Sequence, residues 1–159
     1  MKITIITVGK LKEKYWKAAV DEYQKRLTRY CNLKIIEVTD EKCPDNASEE
    51  EKNRIRRKEA ERIHIKIPVD SLLVTLEIQG KEQDSESFAR WLDKIPHQGH
   101  SHLVFVIGGS LGLSEELCRQ SSLSLSFSKL TYPHQMMRVI LLEQIYRAYR
   151  INRNEPYHK

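Results

Sequence analysis

Apolar residues in this chain follow two spacings, and each spacing predicts one kind of element. Short, nearly continuous apolar runs predict buried strands, whereas apolar positions three and four residues apart predict amphipathic helices. The runs predict strands at residues 2–8, 33–39, 71–76, 103–107 and 123–127. The helical spacing predicts helices at about residues 11–30, 48–66, 85–95 and 133–152. Because strands and helices alternate, we expect an α/β fold with a mostly parallel sheet flanked by helices.

The sequence LVFVI at 103–107 contains no polar position, so we expect both faces of this strand to be buried. Such a strand is typical of the centre of a parallel sheet that helices cover on both sides. It runs directly into GGSLG at 108–112, where three of the five residues are glycine. Glycine adopts backbone angles that other residues avoid and lets a ligand approach the main chain. The carboxyl end of this strand is therefore a candidate binding site.

Two other strands are expected to end near the glycine segment. The strand at 71–76 ends at Leu76 and is followed by a predicted loop at 78–81, and the strand at 123–127 is followed by a segment rich in hydroxyl groups. In an open α/β sheet, ligands bind outside the carboxyl ends of the strands. Leu76, Gly108 and the loop at 127–132 are therefore predicted to line one pocket.

The composition fits one globular domain, predicted to span residues 1–159, with 40% hydrophobic and 31% charged residues. The net charge of +5 favours a polyanionic partner such as nucleic acid. Basic residues concentrate at 54–66 and in the C-terminal segment, and glutamates dilute the first group. The better phosphate candidates by this criterion are Arg138, Arg147, Arg150 and Arg153.

The three cysteines are widely separated and form no C-x-x-C pair, and no stretch resembles a signal peptide or a membrane span. These features predict a protein of the reducing cytoplasm with no membrane role. His97, His100 and His102 lie close together but lack cysteine or carboxylate partners at ligand spacing. We therefore expect no metal site.

The segment GGSLG also matches the G-x-S-x-G pattern of a nucleophile elbow, in the strand-turn-helix context that this pattern requires. A serine hydrolase that uses Ser110 is therefore an alternative. No aspartate follows Ser110, so the acid of a triad would have to be a glutamate.

Six segments together resemble one family, the ribosomal RNA large subunit methyltransferase H family of the SPOUT methyltransferases. They are VGK at 8–10, EIQGK at 77–81, FVIGGSLGL at 105–113, LSFSKLTYPHQMMR at 125–138, LLEQIYRAYRI at 141–151 and EPYHK at 155–159. Their order and spacing carry the resemblance, which extends over essentially the whole chain.

The resemblance implies an α/β knot, in which the C-terminal part threads through a loop to form a deep trefoil. It implies a homodimer that uses S-adenosylmethionine to methylate N3 of a pseudouridine in 23S ribosomal RNA of the assembled ribosome. Transferred residue by residue, it predicts cofactor contacts at Leu76, Gly108, Phe127, Ser128, Lys129, Leu130, Thr131 and Tyr132. Ser110 would then be a turn residue rather than a nucleophile. A non-catalytic module that binds ribosomes is a second alternative, next to the serine hydrolase.

Three residues are candidates for the catalytic steps. We expect Arg138 and the arginines after it to hold the RNA backbone near the pocket. Tyr157 and His158 follow a helix that starts at the predicted cofactor loop, so they are expected to approach the target base, in the partner subunit's pocket. A frayed chain end without a function is the alternative for this tail.

Overall fold

The structure, a computed structural model, describes residues 1–159. It contains five strands and five helices. In chain order these are β1 (Lys2–Val8), α1 (Lys14–Leu27), β2 (Asn32–Val38), α2 (Glu49–His64), β3 (Leu72–Glu82), α3 (Ser85–His97), β4 (His102–Ile107), α4 (Glu115–Gln120), β5 (Leu123–Ser126) and α5 (His134–Asn152). All five strands form one sheet in the order β2-β1-β4-β3-β5, and every pairing is parallel. The predicted α/β class is confirmed.

Strand β4 lies at the centre of the sheet, as its sequence predicts. Leu103, Phe105 and Ile107 face one core, to which α1, α3 and α5 contribute. Val104 and Val106 face a second core, to which α2 and α4 contribute. Burial on both faces explains why this strand has no polar position.

The predicted capping box starts α2. The main-chain N–H of Glu51 donates to Ser48 Oγ at 3.1 Å, and the main-chain N–H of Ser48 donates to Glu51 Oε2 at 2.8 Å. The two bonds satisfy main-chain donors that the first turn of a helix leaves free. They start a helix that buries Ile55 and Ile63, and Ile63 packs in the second core with residues of the sheet.

The prediction of a loop at 78–81 is wrong, because β3 continues to Glu82. Its pairing with β5 shifts register between Leu76 and Lys81, so the strand bends where a loop was expected. A Cβ on Gly80 would lie 2.7 Å from the carbonyl carbon of Leu125, closer than real contacts allow. Glycine at position 80 therefore permits close approach of two backbones rather than a turn.

Helix α5 packs between α1 and α3 and begins one residue later than predicted, with Pro133 at the N-cap. Leu141, Ile145 and Ala148 of the predicted apolar stripe are buried. Met136, Met137 and Ile140 are only half-buried. The segment before α5 connects the edge strand β5 to the neighbourhood of Gly9 at the end of β1. A trefoil knot depends on how this segment threads, which strand order alone does not define, so the knot stays a prediction.

Arg138 is among the largest fully buried side chains, with 1% of its surface exposed. Its Nη2 donates to the carbonyl oxygen of Gly9 at 2.6 Å, and its Nη1 donates to Glu37 Oε1 at 2.6 Å. These bonds tie the start of α5 to the ends of β1 and β2. A buried charge is tolerated only with such partners, so they position α5.

Replacing Arg138 with methionine should destabilise the protein. The substitution leaves the Gly9 carbonyl without its donor and Glu37 without its cation, and we expect a loss of about 3 kcal/mol in the free energy of unfolding. Urea denaturation measures this loss. Arg119→Met is the control, because Arg119 is exposed and pairs only with Glu115 on the same helix; it should cost about 0.5 kcal/mol or less. Equal losses in the two variants would contradict the structural role of Arg138.

Candidate functional site

A cavity of about 710 Å³ opens at the carboxyl ends of β3, β4 and β5. Eleven of the 21 residues that line it are hydrophobic. The lining consists mainly of segments 76–79, 107–113, 125–128 and 130–134. Leu76, Gly108 and the loop at 127–132 therefore line one cavity, as the sequence predicts, although residues 76–79 belong to β3 and not to a loop.

The glycine segment forms a tight turn on one side of this cavity. The main-chain N–H of Gly112 donates to the carbonyl oxygen of Gly109 at 3.1 Å, and Gly112 has a φ of +76°. A Cβ on Gly108 would lie 2.8 Å from the carbonyl carbon of Gly112. Gly108 is therefore required by the turn itself, and not only by a ligand that approaches the main chain.

Helix α2 holds the outer part of the same turn. Arg56 Nη1 donates to the carbonyl oxygen of Leu111 at 3.2 Å. The carboxylate of Glu59 is buried near Gly109, and this burial raises the pKa of Glu59. The main-chain N–H of Glu41 donates to Glu59 Oε1 at 2.9 Å, and this hydrogen bond opposes the rise in pKa. These contacts link the turn to a helix far from it in sequence.

Serine side chains shape the loop after β5. Ser126 Oγ lies 3.0 Å from the carbonyl oxygen of Ile78 and 3.1 Å from that of Ser128. The main-chain N–H of Leu130 donates to Ser128 Oγ at 2.9 Å, a local turn that serine favours. The hydroxyl groups therefore fix the backbone of the loop and connect it to the extended part of β3.

Seven of the eight predicted cofactor residues line the cavity. They are Leu76, Gly108, Phe127, Ser128, Leu130, Thr131 and Tyr132. The eighth, Lys129, is exposed and is not part of the lining. The structure thus brings the predicted set together, and contact with a cofactor stays a prediction.

Three titratable residues of the lining were not predicted from the sequence: Glu77, Cys118 and His134. Burial, and next the neighbouring Glu77, raise the pKa of the Cys118 thiol to about 12, so this thiol stays protonated. Burial, and next the nearby Arg138, lower the pKa of His134. Glu77 could have been found from its place beside Leu76 in EIQGK, whereas Cys118 reaches the cavity only through the packing of α4.

The three predicted catalytic residues lie outside the cavity. Arg138 is buried beneath it and bonded within the chain, so it has no free surface to offer an RNA phosphate. The Tyr157 hydroxyl donates to Glu143 Oε1 at 3.2 Å, and the Tyr157 ring centroid lies 4.7 Å from the guanidinium carbon of Arg147. The expected RNA contact of Arg138 is therefore wrong for this conformation, and the tail is docked on α5 rather than frayed.

His158 borders a second cavity, which shares Leu125 and Phe127 with the first. Its Nδ1 lies 3.3 Å from Arg147 Nη1, and its side chain is exposed. Within one chain the tail therefore ends next to the main cavity but on the other side of Phe127.

The C-terminal arginines are less available than expected. Arg147 pairs with Glu143 at 2.6 Å, and Arg150 pairs with Glu155 at 2.9 Å. On α2, by contrast, three basic side chains are exposed and form no ion pair: Arg54, Arg57 and Lys58. Arg153 is also exposed and forms no ion pair, with its guanidinium carbon 4.6 Å from the Tyr30 ring centroid. Free basic side chains therefore lie on α2, which the sequence pattern ranked second, and at Arg153.

Ser110 is exposed, and its hydroxyl forms no hydrogen bond with a histidine or a carboxylate. The arrangement that activates a serine nucleophile is therefore absent around it. No group of three or more histidine, cysteine, aspartate or glutamate side chains is placed to hold a metal ion. None of the helices combines the length and apolar character that a membrane span requires.

Comparison with known proteins gives matches over the whole chain. The family described as "Predicted SPOUT methyltransferase" matches residues 1–158. A protein of Clostridium perfringens named ribosomal RNA large subunit methyltransferase H 1 is 54% identical over 159 residues, and one of Exiguobacterium sibiricum named ribosomal RNA large subunit methyltransferase H is 56% identical. Both matches cover 100% of each chain.

Two solved structures share the fold at low sequence identity. A probable methylase family protein from Haemophilus influenzae has a TM-score of 0.55 at 12% identity, over 99% of this chain and 70% of that one. A putative methyltransferase from Legionella pneumophila, solved with its bound cofactor SAM, has a TM-score of 0.50 at 14% identity, over 93% of this chain and 66% of that one.

Replacing Gly108 with alanine should strain the turn that borders the cavity. The added Cβ meets backbone at 2.8 Å, and overpacking of this kind typically costs about 1–3 kcal/mol. Thermal or urea unfolding measures the loss. Ser110→Ala in the same turn is the control and should change stability by about 0.5 kcal/mol or less, because Ser110 is exposed. A Gly108→Ala variant as stable as the control would show that the turn does not need glycine there.

Proposed function

This chain belongs to the SPOUT methyltransferases, and within them to the ribosomal RNA large subunit methyltransferase H family, and we propose that it methylates N3 of a pseudouridine in 23S ribosomal RNA with S-adenosylmethionine. The single observation that carries the proposal is the cavity formed by the segments that resemble this family. Relatives more than half identical over their full length support the same reaction class.

The cavity suits a nucleoside cofactor in size and character. Its volume of about 710 Å³ falls within the roughly 300–1,000 Å³ of small-molecule sites, and its lining is mostly apolar with a few polar groups. Main-chain groups of Gly108 and of the loop at 127–132 are available to hold an adenosyl group. The Legionella neighbour, which shares the fold, was solved with this cofactor. We assign Leu76, Gly108 and the loop at 127–132 to cofactor binding.

The bound cofactor would supply an activated methyl group. The electron pair of N3 would form the new N–C bond while the electron pair of the C–S bond passes to sulfur. The imide proton of the base would be lost. The protein then has two tasks, to align the base with the methyl group and to accept or pass on the proton. Orientation contributes about 7–11 kcal/mol in favourable reactions, against about 10²–10⁴-fold for one general base. The rigid turn at 108–112 and the fixed loop at 127–132 serve the first task.

The proposal includes a homodimer in which the tail of one subunit reaches the cavity of the other. Tyr157 and His158 pack outside the cavity of their own chain, so a second copy offers the route to it. Two apolar side chains on the rim, Ile78 and Leu130, are exposed and would be covered by a partner. We assign Tyr157 and His158 to the target base.

We assign RNA backbone binding to α2 in place of Arg138. Its exposed basic residues Arg54, Arg57 and Lys58 lie on the helix that holds the glycine turn through Arg56. Phosphate contacts of this kind position a nucleic acid without reading its sequence. These contacts would hold the RNA of the assembled ribosome, which we propose as the substrate, next to the cavity.

Methyl transfer to ribosomes tests this function directly. Purified protein is incubated with isotope-labelled S-adenosylmethionine and ribosomes that lack the modification, and the RNA nucleosides are identified by mass spectrometry. We expect one labelled N3-methylpseudouridine per 23S RNA. Ribosomes that carry uridine at the target position are the control and show whether the isomer is required. Label on another base, or none, would contradict the proposal.

Point substitutions in the tail test its role in the same assay. We expect His158→Ala and Tyr157→Phe to lower the rate of methyl transfer about 10²-fold if either group acts on the base or its proton. Binding of S-adenosylhomocysteine, measured by calorimetry, should stay unchanged, because both side chains are assigned to the target base and neither is assigned to the cofactor. Lys159→Ala is the control. Unchanged transfer rates in both variants would remove the tail from the mechanism.

A further inference from the structure

Glu77 is the one acidic side chain in the lining of the cavity, and no lysine or arginine lines it. The other titratable side chains there are Cys118, Tyr132 and His134. Burial keeps the Cys118 thiol protonated, and the lowered pKa of His134 favours its neutral form. The carboxylate of Glu77 therefore sets the charge of a largely apolar space.

Hydroxyl groups hold this carboxylate in place. Thr75 is fully buried, and its Oγ1 donates to Glu77 Oε1 at 2.6 Å. The same Thr75 oxygen lies 3.0 Å from Ser121 Oγ and 3.3 Å from Ser124 Oγ. These contacts connect β3 to β5 and to the residue that ends α4, so the position of Glu77 is fixed by three elements.

Glu77 has no cationic partner in the protein. Nine ion pairs form in the structure, and none of them includes it. A half-buried carboxylate in apolar surroundings is costly unless hydrogen bonds or an opposite charge offset the loss of water. The hydroxyl groups supply hydrogen bonds but no opposite charge. A positively charged ligand would supply that charge.

We propose that Glu77 gives the cavity a preference for a positively charged ligand, so that the sulfonium donor binds more tightly than the neutral thioether product. The inference rests on the proposed function and concerns the same site. S-adenosylmethionine and S-adenosylhomocysteine share the adenosine and amino acid parts and differ by one methyl group and one positive charge. A carboxylate near the sulfur distinguishes them by that charge and favours release of the product.

Calorimetric titration of the intact protein tests this preference. The probes are S-adenosylmethionine, S-adenosylhomocysteine and sinefungin, an analogue with an amine in place of the sulfonium methyl group. We expect Glu77→Gln to weaken binding of the two cationic probes about tenfold, which is about 1.4 kcal/mol, and binding of S-adenosylhomocysteine less than about threefold. Glu77→Asp keeps the charge and should retain the preference.

The control is Glu82→Gln, which removes an exposed carboxylate from the same strand outside the cavity and should leave all three affinities unchanged. Ratios of affinities within one variant do not depend on the folded fraction, and Glu77→Ala serves as a second neutral variant if Glu77→Gln folds poorly. Equal weakening of all three probes, or no change in any, would overturn the inference. If the wild-type protein binds none of them, the proposed function itself fails.

Discussion

The buried guanidinium of Arg138 joins parts of the chain that lie more than one hundred residues apart. It holds the start of α5 against the Gly9 carbonyl oxygen and Glu37, and Glu37 Oε1 also accepts the main-chain N–H of Leu11. The loop before α5 is fixed at its other end by Ser126 at the end of β5. Between these two anchors the segment 127–133 must cross the carboxyl ends of the strands. This crossing segment forms one wall of the cavity.

The remaining walls of the cavity follow from close backbone packing and from one helix. Gly80 lets β3 continue against β5, and Gly108 lets the turn after β4 fold back on itself. Arg56 connects that turn to α2, whose exposed basic side chains we propose to bind RNA. The proposed cofactor site and the proposed RNA-binding helix are thus connected by the hydrogen bond between Arg56 and the carbonyl oxygen of Leu111. Rigid walls suit a reaction that depends mainly on the alignment of two bound molecules.

The sequence predicts those features that depend on local pattern. Spacing and residue type predict the apolar run of β4, the capping box of Ser48 and Glu51, and the pocket that includes Leu76, Gly108 and the loop at 127–132. The extension of β3 could not be predicted, because Gly80 is indistinguishable from a turn glycine until its neighbour Leu125 is known. The burial of Arg138 was missed for the same reason: an arginine in a basic helix is usually exposed, and its partners Gly9 and Glu37 are distant in sequence. Long-range contacts, rather than propensities, decide both cases.

The central claim is that the cofactor occupies the cavity between the Gly108 turn and the loop at 127–132. A crystal structure of the protein grown with S-adenosylhomocysteine tests it most directly. We predict the adenosyl group inside this cavity, with hydrogen bonds to main-chain groups of both segments and the sulfur within reach of the Glu77 carboxylate. A ligand bound elsewhere on the protein, or a cavity closed by the side chains that line it, would contradict the account.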